Sequence, residues 1–150
     1  SIYTKTYCKN NKGEYPVYSA DNNNTLAYRN DYDYGEEYLT SSINGIAGFL
    51  TILDGKFSIN TDCVVFISKA TNIDLGYVKN ILEPILRNKN KGRKAIKGKN
   101  EFTKLTPIMI ENEMIPIPYN IYGKPYIEKQ NDIANKYKIM VMIKNKLKIV

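Results

Sequence analysis

The chain has 150 residues, 43% of them apolar, which suits one domain with a buried core and excludes a disordered segment. Its formal net charge is +7 and it contains no histidine, which removes histidine-based acid–base chemistry, Ser/Cys–His nucleophiles and most transition-metal sites. No apolar run approaches the ~18 residues a membrane span requires, no secretory signal is visible, and Cys8 and Cys63 lie too far apart in sequence for a zinc pattern, so a cytoplasmic protein with two reduced thiols is expected.

Residues 1–14 are polar with scattered tyrosines, and the cluster Asn10-Asn-Lys-Gly13 reads as a turn. Residues 15–19 read as a short strand that Pro16 assigns to a sheet edge or a strand start. The run Asp21-Asn-Asn-Asn24 is a loop, residues 26–28 a brief β segment, and residues 30–35 a turn-rich connector. Between residues 38 and 67 lie three β-like runs, at 38–41, 48–53 and 63–67. The dipeptides Asn44-Gly45 and Asp54-Gly55 separate them, and both are strong hairpin signals because the turn needs φ > 0. An antiparallel meander is therefore expected, with Ser41, Ser42 and Asn44 at one turn and Ser58, Asn60, Thr61 and Asp62 leading into the last strand.

Apolar residues at 75, 78, 81, 82, 85 and 86 keep helical spacing, with Asp74 as N-cap, and Pro84 should kink this helix or end its first half. From Arg87 to Lys104 there are eight basic residues and one acid, Glu101, an excess equal to that of the whole chain. With Gly92 and Gly98 in it, the segment reads as an exposed loop. Thr106-Pro107 starts a short helical turn over 107–112, and Met114-Ile-Pro-Ile-Pro118 is extended. Residues 128–147 are helical. Ile133, Tyr137, Met140 and Leu147 form one stripe with Val141 beside it, interrupted by Lys144, as in the beginning of a coiled coil.

The chemistry-bearing motifs are sparse. Gly45-Ile-Ala-Gly48 lacks the Lys-Ser/Thr of a phosphate loop and precedes a strand, and no S-adenosylmethionine glycine motif or amino-methylation motif is present. Asp54-Gly-Lys56 reads as a hairpin turn before it reads as a nuclease centre, and Asp31, Asp33, Glu36 and Glu37 as a solvated connector before a cation site. A non-catalytic protein without cofactors is expected. The basic segment instead suggests a polyanion partner. Lys89, Lys91, Arg93, Lys94, Lys97, Lys99 and Lys104 are the expected phosphate contacts, Arg93 alternatively a guanine reader. Ser41, Ser42, Asn44 and the loop carrying Ser19, Asn22 and Asn23 offer amides and hydroxyls for base edges. Three other readings compete: an RNA or single-strand binder that uses the basic loop and tyrosine stacking, a small nuclease that uses the carboxylates, and a protein-interaction module acting through the C-terminal helix.

The order of several short stretches carries a more specific signal: GEYPVYS at 13–19, YLTSSINGIAG at 38–48, GKFSINTD at 55–62, IPIP at 115–118, then Glu128-Lys-Gln130 and Ile133-Ala134. Together they resemble the target recognition domain of Type I restriction-modification specificity (S) subunits over residues 13–140. Where that family has a short Pro-Leu-Glu-Glu-Gln junction, this chain has the longer stretch from Tyr119 to Gln130. The resemblance implies an α+β fold with a strongly bent antiparallel or mixed sheet. It also implies a recognition domain over residues 1–125, and a spacer or dimerisation helix over 126–150. Double-stranded DNA, methyltransferase and restriction subunits, and self-association through the C-terminal helix are the partners it implies. The role implied is reading one half of a split target.

Overall fold

The computed structural model describes residues 2–21, 24–95 and 100–147. Two compact units divide it. The first comprises the chain up to Ile67 together with Glu83–Glu113; the second comprises Ser68–Leu82 and the chain from Met114 on.

The first unit is built from small sheets. Strand β1 (Tyr15–Tyr18) lies between β2 (Thr25–Arg29), antiparallel to it, and β6 (Ser58–Ile59), parallel to it. Pro16 is thus the second residue of a central strand, paired with Tyr28 on the β2 side and lying before the first β6 partner, Ser58 opposite Val17. Helix α1 (Lys5–Asn10) precedes β1 and is capped by Thr4, whose Oγ1 accepts from the Tyr7 amide at 3.1 Å. The sequence reading had no helix there, since a six-residue helix is too short to show an apolar period.

The second sheet has β3 (Tyr38–Ser42) in the middle, antiparallel to both β5 (Leu50–Leu53) and β7 (Cys63–Phe66). The expected meander is corrected here: β5 and β7 never pair. After β5 the chain turns at Gly55 (φ 80°), and Phe57 bridges to Tyr34. Phe57 is buried among Tyr18, Tyr34 and Tyr38, with ring centroids 5.3–6.3 Å away. Burying this large ring outweighs closing a two-strand hairpin, and it carries the chain into the first sheet as β6. The Asn60–Asp62 turn then returns it to the far edge of β3.

The third sheet has the order β4 (Asn44–Gly45), β9 (Phe102–Lys104), β8 (Lys91–Arg93). Strands β8 and β9 come from the segment read as a loop, and in the described residues they pair antiparallel. Gly92 makes this pairing feasible: at φ 129°, a Cβ there would sit 2.5 Å from the Phe102 carbonyl oxygen. Helix α3 (Pro107–Ile110) follows the expected Thr106-Pro107 start.

Helix α2 (Leu75–Lys89) is shared, its residues up to Leu82 counting with the second unit and the rest with the first. Asp74 caps it, with Oδ1 accepting from the Tyr77 amide at 2.5 Å. Pro84 neither ends nor splits the helix, and it lies on the exposed side, where water can reach the Asn80 carbonyl that has no amide donor at position 84. In the first unit, Gly48 (φ 86°) lets the β3–β5 connection approach Leu86, whose carbonyl carbon would lie 2.9 Å from a Cβ at that position.

In the second unit, Tyr77 donates its hydroxyl to the Pro116 carbonyl at 2.7 Å. Helix α4 (Ile127–Leu147) buries Gln130, whose side chain holds the loop before α2 by two bonds, 2.9 Å from the Asp74 amide and 3.1 Å to the Asn72 carbonyl. From Asn135 to Leu147 every residue of α4 is exposed. The fold is α+β, with the expected bent sheet divided into three small ones among the described residues. No described helix is long and apolar enough to cross a membrane.

Candidate nucleic-acid interface

Strand pairing decides which basic side chains share a face. Lys91 stands opposite Lys104 and Arg93 opposite Phe102, while Gly92 opposes Thr103 on the other face. On the neighbouring strand Asn44 pairs with Lys104. Lys91, Arg93, Phe102 and Lys104 are all exposed, and Thr103 is completely buried. The outer face of this sheet is therefore cationic, with Asn44, Lys104 and Lys91 in one row and Phe102 with Arg93 in the next.

The inner face supplies the support. Arg87 donates through both terminal nitrogens to the Glu101 carboxylate, at 2.8 and 2.7 Å, and through Nη1 to the Ala47 carbonyl at 2.9 Å. Its guanidinium also lies 4.8 Å from the Phe49 ring centroid. The Thr103 hydroxyl donates to Glu101 at 2.8 Å and accepts from the Ala47 amide at 3.0 Å. Asn90 donates to the Ala47 carbonyl at 2.5 Å. The Arg87 hydrogen bonds hold the Glu101 carboxyl down at about 2, against the pull of burial.

This separates cations that the sequence treats alike. Arg87 is matched by Glu101 and Lys89 by Glu113. Lys94 donates to the Arg87 carbonyl at 3.0 Å and to the Asn90 side chain, so it caps the end of α2. Arg93 donates from Nε to the Asn100 carbonyl at 3.1 Å, and among the described residues it makes no ion pair. Among the described residues Lys91 and Lys104 make no ion pair. Two ammonium groups directly opposite across a strand pair repel each other, and a bound anion relieves that repulsion.

The expected base readers divide as well. Ser41 and Ser42 are corrected: both are fully buried, on central strand β3, with hydroxyls donating to the Ser42 and Ile46 carbonyls at 3.0 and 2.6 Å. They cannot reach a ligand. Ser19 and Asn44, far apart in sequence, meet through Asp62. Asn44 donates to Asp62 Oδ1 at 2.8 Å, and Ser19 donates to Oδ2 at 3.3 Å while accepting from Asn60 at 2.8 Å. This network adjoins the cationic face through the Asn44–Lys104 pair. Lys97, Lys99, Asn22 and Asn23 lie outside the described residues. Phe102 was missed by sequence reasoning; the alternation Phe102-Thr-Lys104 was the available signal.

The other acidic candidates have local roles. Asp31 and Asp33 lie 3.6 and 3.2 Å from the buried Arg29, and Asp54 accepts from the Gly55 amide at its own turn. Among the described residues no three His, Cys, Asp or Glu side chains are grouped to hold a metal ion.

Residues 1–148 match the family described as Type I restriction modification DNA specificity domain. A Mycoplasma pneumoniae protein named as a type I specificity subunit is 52% identical over 64 residues, covering 41% of this chain and 18% of that protein. The specificity subunit of the type I restriction enzyme MpnII, from the same organism, is 39% identical over 82 residues, covering 53% of this chain and 25% of that subunit. The crystal structure of a type I restriction-modification S subunit from M. genitalium superposes with a TM-score of 0.55 at 12% identity, over 85% of this chain and 32% of that one, a likeness of fold. The aligned regions thus span about a third or less of these relatives' length.

Proposed function

The chain belongs to the family of Type I restriction modification DNA specificity domains, and on that premise we propose that it binds double-stranded DNA and reads one part of a split target. The observation that carries this reading is the outer face of β4–β9–β8, where Lys91, Arg93 and Lys104 stand together with no carboxylate paired to them among the described residues. Lys91 and Lys104 meet phosphates, and Arg93 meets a phosphate or a guanine edge. The Asn44, Ser19 and Asn60 network lies beside the bases. The β8–β9 pair, which carries Lys91, Arg93, Phe102 and Lys104, is the part that enters the major groove. In this reading the domain is itself non-catalytic and directs methyltransferase and restriction subunits to the site it recognises. Helix α4, with Met140, Ile143 and Leu147 exposed, pairs with a further helix of the specificity subunit or of a second copy.

Binding to a randomised duplex pool at two salt concentrations, with sequencing of the retained fraction, tests the reading. Enrichment of a short motif of ~3–5 base pairs that survives the higher salt supports it. Replacing Lys91 and Lys104 by Ala should then lower affinity for every duplex and reduce the salt slope by about two. Absence of duplex binding at low salt overturns it.

A further inference from the structure

Strand β9 is patterned the wrong way round for a strand that only covers a core. Thr103 is completely buried and Glu101 mostly so, while Phe102 between them is 53% exposed. A strand packed on one side normally turns its apolar residues inward and its polar ones to water. Here the inner face is occupied by the Arg87–Glu101–Thr103 hydrogen bonds, and the aromatic ring stands outside. Its cross-strand neighbour is Arg93, and Lys104 lies two residues along on the same face, with Lys91 across from it. Scattered exposed apolar residues are ordinary. An aromatic ring beside Arg93, Lys104 and Lys91 on one exposed face is a contact surface of defined chemistry, because what meets it must be anionic where the cations stand and apolar at the ring.

Duplex DNA has that combination at one place in the major groove. Phosphates form the edge, and the 5-methyl group of thymine is the apolar feature that a base pair presents there. We propose that Phe102 is a specificity-determining residue that packs on a thymine methyl group while Arg93 beside it bonds the adjacent base edge or phosphate. This rests on the duplex-binding reading above and adds to it a residue and the chemical group it reads.

The test uses the whole chain and the duplex most enriched in the selection described above, prepared with thymine and again with uracil at each T. The exchange removes only the 5-methyl group. The expected result is a loss of about fourfold in affinity for each methyl group contacted, the worth of one buried CH₂. In Phe102→Ala, affinities for the two duplexes should converge, with the salt slope unchanged. Phe102→Thr, which keeps strand propensity, should behave the same if the alanine variant melts early. Equal binding of thymine and uracil duplexes by the unaltered chain overturns the assignment of Phe102 while leaving duplex binding intact. Retention of the preference in both variants overturns it too. A Phe102→Ala loss confined to single-stranded oligonucleotides, with thymine and uracil alike, overturns it in favour of base stacking. If no duplex is retained at all, the underlying reading fails.

Discussion

Arg87 and Glu101, fourteen positions apart, form a two-pronged ion pair at 2.7–2.8 Å beneath strands β8 and β9. The pair joins the second half of α2 to the residue that immediately precedes β9. It sets which basic side chains hold the fold and which face outward.

Because Glu101 is held at about 2 against an ordinary 4.5, its folded-state pKa lies below its unfolded one. Its contribution to stability is present above about pH 4.5 and is lost as pH falls towards 2. Glu101→Gln should destabilise the first unit by about 1–2 kcal/mol at pH 7. Thermal melts of both proteins across pH 7 to 2 should show the difference shrinking within that acid window.

Lys94 and Lys91 should separate in a paired measurement. Lys94→Ala removes the side chain that caps α2 at the Arg87 carbonyl, and should lower stability by about 0.5–1 kcal/mol with little change in the salt dependence of DNA binding. Lys91→Ala removes the repulsion with Lys104, so it should leave the denaturation midpoint unchanged or slightly raised, and reduce the salt slope by about 0.9. Denaturant titrations and salt-dependent binding isotherms together read both effects.

Gln130→Ala should destabilise the second unit. It leaves the Asp74 amide and the Asn72 carbonyl without the buried amide that bonds both, a cost of about 2–3 kcal/mol. Hydrogen exchange should report it first as lost protection at the Asp74 amide and the first turn of α2.

Cys63 should be almost inert in the native protein. Burial, with Asp62 adding to it, pushes its thiol up to about 12, and its Sγ lies 2.7 Å from the Ser19 carbonyl it donates to. At pH 8 its alkylation should be roughly a thousandfold slower than that of an ordinary exposed thiol. Mass spectrometry before and after denaturation checks this, and Cys8, also buried, should likewise label only after unfolding.

Much of the local structure was legible. The apolar period gave α2 and α4, Asp74 its cap, and Thr106-Pro107 the start of α3, because each depends on neighbours within one or two turns. The Glu128-Lys-Gln130 signature was visible in the sequence, but its work, fastening the loop before α2, appears only when residues 56 and 58 positions apart meet. The meander failed because turn chemistry identifies a reversal without saying which strand follows it; the burial of Phe57 decided that. Ser41 and Ser42 looked like turn residues. Pairing of β3 on both edges buried them instead.

Composition and motif order by themselves determined the class of the chain and the family it belongs to, along with the location of its excess charge. Those properties are carried by residue identity and spacing. The tertiary structure alone decided which of the described cations in that segment have partners within the chain. A charge acts through its distance to other charges, and the partners of Arg87, Lys89 and Lys94 are assigned by strand register and helix ends that no local pattern encodes.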